Sequence, residues 1–320
     1  MQPNYEIKKS DVKSKSIATY SKFSQVLKHK NFYLMLLPLV AFYLVFCYAP
    51  MYGVILSFKT FDYSKGILGS PWIGVQNFKD IVNDFQFLSA VKNTLIISLG
   101  KLIFNFPLPI ILAILMNELS KRKIMRLYQT VFTLPHFISW VVISGVVINI
   151  FGGSGVFNQI LNALGMESSS PLIQTNTFRP MLYITNAWKE MGWDSIIYLA
   201  ALAGINPELY ESAEMDGANR FQRIIHITWP GIRSTVSVLL ILAVGNIMGS
   251  GSLDQVLNLY SAPVYSVADI IDTYIYRVTF TVGADYGYMT AIGLSKSLIN
   301  LVLLYSANML SKKLGEGGLF

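Results

Sequence analysis

Long apolar runs alternate with short polar ones along the whole chain. Residues 32–58, 91–117, 128–151, about 180–205, 235–248 and 288–310 are the apolar runs. Most of them reach the roughly 20 residues that a helix needs to cross about 30 Å of hydrocarbon. The pattern predicts an all-α fold, a polytopic membrane helix bundle of six transmembrane helices. Prolines punctuate it. Pro38 and Pro50 are expected to kink the first run or mark its ends, Pro107 and Pro109 stand in the second, and Pro135 with His136 lies near the start of the third.

The polar positions between the runs set an orientation. Lys8, Lys9, Lys13, Lys15, Lys22, Lys28 and Lys30 precede the first run against only Glu6 and Asp11, and Lys121, Arg122, Lys123 and Arg126 follow the second. Arg220, Arg223 and Arg233 lie before the fifth run, and Lys312 and Lys313 end the sixth. The other connections are balanced over 63–90, poor in positive charge over 152–179, and acidic over 249–287, where Asp254, Asp269, Asp272 and Asp285 oppose Arg277. Cytoplasmic loops carry the excess of Lys and Arg, so both termini are expected in the cytoplasm. The domain organisation is then a cytoplasmic tail over 1–31, a transmembrane domain over 32–311, and a cytoplasmic tail over 312–320. A cleaved signal peptide is not expected, because the basic region and the first apolar run are too long and no small-residue cleavage site follows.

The connection over 206–234 is a polar island with internal punctuation. Asn206-Pro207 reads as a helix start, with Asn capping the first free amides and Pro tolerated where its missing N–H would be unpaired anyway. Glu208 and Glu211 suit the positive end of that helix. Gly217 is expected to stop it near Met215, and Asn219 to cap a second short helix from Arg220 to about Ile227, closed by Pro230. The elbow of Ala213, Gly217 and Ala218 has almost no side chain, so another protein's surface can approach it closely. An ordinary amphipathic loop between two spans fits the segment equally well.

Composition sharpens the membrane reading. The 320 residues are 53% hydrophobic and only 13% charged, against about 25% charged in soluble domains. The net charge of +7 sits in basic clusters beside apolar runs, where it sets topology, so it does not point to nucleic acid. The single cysteine, Cys47, excludes an intrachain disulfide and reads as a small apolar residue within a span. No G-x-x-x-x-G-K-[ST] loop occurs, so the chain is not expected to hydrolyse ATP itself. His29, His136 and His226 have no metal-ligand spacing, and no G-x-S-x-G elbow is present.

Ionisable groups inside spans are the remaining candidates, since each costs roughly 3 kcal/mol unless it faces a partner or a wet cavity. Glu190 and Asp194, four residues apart, share a helix face, with Lys189 off it. Lys101 stands in the second run. These three are substrate-pathway candidates, and a structural pairing or an interfacial position explains them as well. Trp188 and Trp193 join them because an indole can stack on a sugar ring, although the interface belt also collects tryptophan. Tyr260, Tyr265, Tyr274, Tyr276 and Tyr286 are read as belt and packing residues.

Glu211-Ser-Ala-x-x-Asp-Gly-Ala218 followed by Ile227-Thr-Trp-Pro230 resembles the cytoplasmic E-A-A-x-x-D-G-A … I-T-L-P loop of binding-protein-dependent ABC importer permeases, without a gap. Ser212 and Trp229 are the departures. Asn93-Thr-Leu95, Phe106-Pro-Leu-Pro109, Asn117-Glu118, Leu134 to Val142 and the end from Tyr288 are similar to the carbohydrate-uptake group, most to its branch for polysaccharide-derived and uronic-acid oligosaccharides. The resemblance implies a multi-pass permease of the bacterial cytoplasmic membrane. It would pair with a second permease, receive an oligosaccharide from an extracytoplasmic solute-binding protein, and be driven by an ATPase dimer that uses ATP and Mg. It also implies that the permease itself holds no cofactor and is not an enzyme. It makes 206–234 a coupling loop whose ATPase contacts would be Glu211, Ser212, Ala213, Asp216, Gly217, Ala218, Ile227 and Pro230, with Glu211 and Asp216 expected to pair or hydrogen-bond. An importer for another solute class, or a stand-alone secondary transporter, remains the alternative.

Overall fold

The computed structural model describes residues 29–119, 121–249, 253–283 and 285–313. Most of the expected tails, 1–31 and 312–320, therefore lies outside the described residues. The chain divides into two units, residues 1–53 and 54–320.

The first unit is helical over its described part. Helix α1, Lys30–Phe42, continues as wider winding over Tyr43–Tyr48 and tighter winding over Ala49–Phe58. Pro38 lies inside α1 and Pro50 inside the tight stretch, so neither ends the run. The whole of Lys30–Phe58 is long and apolar enough to cross a membrane.

In the second unit, α2 covers Gln76–Asn83 and α3 Phe85–Asn105. The second span starts at Phe85 rather than at Val91, because the Asp84 carboxylate accepts the Gln86 and Phe87 amides at 2.8 and 3.2 Å and caps the helix there. Helix α4, Pro107–Asn117, follows directly, with Pro107 in its first turn.

The third expected span is corrected. Residues 128–151 are not one helix: α5, Arg122–Thr133, is amphipathic and buries nothing, a tight turn follows over Leu134–Phe137, and α6 begins at Trp140. Pro135 forces the break and Ser139 restarts the winding by accepting the Val142 amide. Helix α6, Trp140–Phe151, and α7, Val156–Ala163, together form the apolar run.

Helix α8, Phe178–Ala203, is the packing centre, in contact with α3, α4 and α5. Its 26 residues span about 39 Å. Arg179, Lys189, Glu190 and Asp194 keep its composition from looking membrane-spanning. Gly192 permits its closest approach, since a Cβ there would collide with the Phe132 carbonyl of α5.

Helix α9, Pro207–Met215, leads through the Gly217 turn to α10, Arg220–Arg223. The second short helix does not end at Pro230. A wider-wound stretch, Ile224–Thr228, carries it into α11, Trp229–Gly245, and Pro230 sits in the first turn of α11. The fifth span is thus the single run Arg220–Gly245 rather than 235–248.

The expected outer loop, 249–287, is largely helical where it is described. Helices α12, Leu253–Leu259, and α13, Ile271–Arg277, flank the one-turn helix Tyr265–Ala268. Val256, Leu259, Val264, Ala268 and Ile270 join Ile97, Ile143, Phe178 and Leu182 in one buried cluster. Helix α14, Tyr286–Lys313, completes the chain. Among the described residues there is no strand beyond an isolated Lys59–Trp72 bridge. The second unit is an all-α helix bundle.

Buried polar groups fasten the outer segment. Gln255 donates to the Leu182 carbonyl and to Thr185 of α8, Asn93 of α3 donates to the Ser266 and Asp269 carbonyls, and Arg179 donates to Asn93 Oδ1 and the Val267 carbonyl. Asp269 pairs with Arg277 at 2.6 Å. Asp84 accepts the Tyr274 and Tyr288 hydroxyls at 2.5 and 2.9 Å. Burial pushes the Asp84 carboxyl up, but the Tyr274, Phe87, Tyr288 and Gln86 donors outweigh it and hold it below its usual range. Burial, with the Asp84 hydrogen bond, pushes Tyr274 up to about 12.

Candidate functional site

Two places gather the candidate residues. The first is the elbow between α9 and α10. Asn206 caps α9 by accepting the Glu208 amide at 3.1 Å, with Pro207 in the first turn. Gly217 takes the left-handed conformation, φ +78°, and the Ala218 and Gly217 amides close the helix end on the Ala213 and Glu214 carbonyls. Asn219 and Gln222 form a reciprocal capping box that opens α10. These are short-range interactions, so the elbow's shape is written locally.

Tyr210 ties the elbow to the bundle through its hydroxyl, 3.0 Å from the buried Thr228 Oγ1. Ala213, Asp216, Gly217, Ala218, Arg223 and Ile227 line an open hollow of about 360 Å³. Of the eight expected contact residues, Ala213, Asp216, Gly217, Ala218 and Ile227 share the hollow, while Pro230 lies in α11. Glu211 and Ser212 lie exposed on α9. Glu211 and Asp216 are both exposed, and Glu214 pairs with Arg223 at 3.1 Å. Met215 and Phe221 stand out into solvent, 88% and 70% exposed among the described residues.

The second place is a cavity of about 240 Å³ between α3, α8 and α11, lined by Ser98, Lys101, Asn105, Asn186, Asp194 and Asn246 among others. Lys101 and Asp194, expected from separate spans, are brought to one cavity. Lys101 lies midway along the run Phe85–Asn117, and Asn105 follows it one turn later on the same face. Asp194 also borders an apolar hollow of about 210 Å³ beside Phe106, Pro109, Tyr198 and Leu239.

Glu190 does not share this cavity lining. It accepts from His136 Nδ1 at 2.6 Å, with Lys189 3.4 Å away, and His136 stacks on Trp193 at 4.3 Å between ring centres. Lys189 is buried and donates to the His136 carbonyl. The tight turn at Pro135 is thus bolted to α8 by a His–Glu–Lys–Trp cluster. Trp188, 49% exposed, belongs to neither group. Sequence reasoning passed over Asn105, Asn186 and Asn246; an amide one turn from an intramembrane lysine was the available signal. Among the described residues no three His, Cys, Asp or Glu side chains come together as a metal would require.

Comparison with known proteins places this geometry. The family model described as "Binding-protein-dependent transport system inner membrane component" matches residues 105–316. Protein LplB of Bacillus subtilis (strain 168) is 42% identical over 294 residues, 92% of each chain. The polygalacturonan/rhamnogalacturonan transport system permease protein YteP of the same organism is 38% identical over 299 residues, again 92% of each chain. The chain is similar to a solved bacterial ABC transporter involved in the import of the acidic polysaccharide alginate, with a TM-score of 0.83 at 40% identity over 91% of this chain and 98% of that one. A bacterial alginate ABC transporter in complex with an alginate pentasaccharide-bound periplasmic protein gives the same TM-score at 38% identity, over 93% and 99%.

Proposed function

The chain belongs to the family of binding-protein-dependent transport system inner membrane components, and from that premise we propose that it passes acidic oligosaccharides through the bacterial cytoplasmic membrane. It is a multi-pass permease subunit of an ABC importer, a transport protein and not an enzyme. A second permease of similar fold completes the pathway, and an extracytoplasmic binding protein delivers the sugar. An ATPase dimer that consumes ATP with Mg docks on the cytoplasmic side. Both termini and the elbow lie on that side.

The observation that carries the substrate class is the cavity. A lysine, an aspartate, three asparagines and a serine converge on one cavity, and such convergent polar groups suit a hydroxyl-rich ligand. The relatives point to the acidic class: one solved relative imports the acidic polysaccharide alginate, and YteP is named for polygalacturonan/rhamnogalacturonan transport. Coupling runs through the elbow. Its left-handed Gly217, its open hollow and the exposed Met215 and Phe221 support a docking surface for the ATPase. Closure of the ATPase dimer drives the elbows together and turns the cavity outward; hydrolysis lets it revert.

The test is ATPase activity of the assembled complex in lipid vesicles, with binding protein and a panel of acidic and neutral oligosaccharides. Acidic oligosaccharides are expected to stimulate hydrolysis and the neutral ones not. Stimulation by amino acids or metal ions alone overturns the reading.

A further inference from the structure

Helix α5 joins two features that no other part of the description has used. Its start carries Lys121, Arg122, Lys123 and Arg126, all exposed, and Glu118 is the one acid between residues 105 and 133. Among the described residues none of these four cations forms an ion pair, whereas Arg223 of the elbow is held by Glu214. Ile124, Leu127, Val131 and Leu134 then recur at helical spacing, and all four are exposed. An apolar strip thus leads away from an unneutralised basic cluster.

The packing fixes where the strip lies. Met125 and Phe132, on another side of α5, pack against the buried cluster that holds Met116 and Leu202. Met116 lies just before the basic stretch and Leu202 just before the elbow, so the cations stand at the elbow's end of the bundle. At the other end of α5 the Phe132 carbonyl meets Gly192, near the middle of α8. The strip from Ile124 to Leu134 is about 15 Å long at helical rise, which is the depth of one leaflet, half of about 30 Å of hydrocarbon.

That profile, cations at the surface and one leaflet of apolar side chains below them, is the complement of an anionic phospholipid. An acidic face on the ATPase could meet the cations, but it has no reach to mid-depth. A second permease could cover the strip, but by the same charge rule its connections at this end are basic. We propose that α5 is an anionic-lipid site of the cytoplasmic leaflet: Lys121, Arg122, Lys123 and Arg126 hold the phosphate headgroups, and the acyl chains lie along Ile124, Leu127, Val131 and Leu134. The inference rests on the cytoplasmic placement of the elbow given above. Since α5 runs into the turn that Lys189 and Glu190 fasten to α8 through His136, a lipid held at its start braces the helix on which α8 leans. Transport then depends on membrane charge.

The experiment compares the complete importer with a variant carrying Lys121→Gln, Arg122→Gln, Lys123→Gln and Arg126→Gln together. Phospholipid retained by the purified complex is measured by mass spectrometry. ATP hydrolysis driven by sugar-loaded binding protein is measured in phosphatidylcholine vesicles with and without phosphatidylglycerol. The wild type is expected to retain phosphatidylglycerol and to work several-fold faster with it, and the variant to retain roughly tenfold less or lower and to lose most of that acceleration. If the fourfold variant does not insert, Arg122→Gln with Arg126→Gln is expected to give the same change in smaller measure, while Arg122→Lys with Arg126→Lys keeps the charge and the lipid. Equal phosphatidylglycerol retention by wild type and glutamine variants overturns the proposal. So does a variant that sheds its ATPase in both kinds of vesicle while keeping its lipid, which would make an acidic face of the ATPase the occupant. A wild-type complex that answers to no oligosaccharide defeats the permease reading alone, because lipid retention is read without substrate.

Discussion

The elbow at 206–223 and the outer segment at 253–277 are both polar connections in the sequence, yet they end in opposite surroundings. Helix α9 buries no residue at all. Helices α12 and α13 bury Gln255, Val256, Leu259, Ile271, Thr273 and Tyr274. The elbow is held by its own caps within a few residues. The outer segment is held by Asn93, Arg179 and α8 from far along the chain. A self-contained, side-chain-poor element can leave its surface free for another subunit, whereas a segment fastened by distant partners has become part of the core. The difference teaches that hydropathy of a connection says little about its burial when its polar groups have partners.

The largest expected effect comes from breaking the outer segment's internal ion pair. Asp269→Ala removes the carboxylate that sits 2.6 Å from Arg277, a loss of about 1.5–3 kcal/mol for a charged hydrogen bond in a partly buried pair. Thermal unfolding of the complex should fall sharply, and the chain should drop in membrane abundance. An unchanged unfolding profile would mean that the segment is surface after all.

A smaller stability change with a large functional one is expected at the elbow. Gly217→Val forces a β-branched residue to φ +78°, a strain of about 1–2 kcal/mol. Apart from its own chain neighbours, no described atom lies within 4 Å of the added Cβ, so the bulk faces open space where a partner would dock. The variant should reach the membrane at near wild-type level, lose the co-purifying ATPase, and import little. Normal import by this variant would remove the elbow from the coupling path.

The smallest effect is a pH dependence at the outer end. Asp84 is held below its ordinary value of 3.8, so its contribution is complete above that pH and is lost as pH falls through the lowered value. Tyr274 is pushed up to about 12, so its contribution is complete below its usual 10 and is lost as pH climbs toward 12. Tyr274→Phe removes one donor to Asp84, leaves Tyr288, and costs about 1 kcal/mol, since Asp84 itself is only partly buried. Acid unfolding of the variant should begin at higher pH than in the wild type, and coincident acid limbs would show that Asp84 draws nothing from Tyr274.

Sequence alone determined the all-α membrane bundle, because spans need only length and apolarity, and it determined the elbow, because Asn206, Pro207, Gly217 and Asn219 act through neighbours within a turn. It mislaid the start of the third span and the end of the second short helix. In both, a proline could either break or begin a helix, and only the packing decided. Pro135 broke one, while Pro230 settled into the first turn of another. The tertiary structure alone decided which buried polar groups meet. Lys101, Asn105, Asp194 and Asn246 share a cavity, and His136 takes Glu190 out of it. Those partners come from helices dozens of residues apart, and the energy that unites them belongs to the packed bundle and not to any stretch of chain.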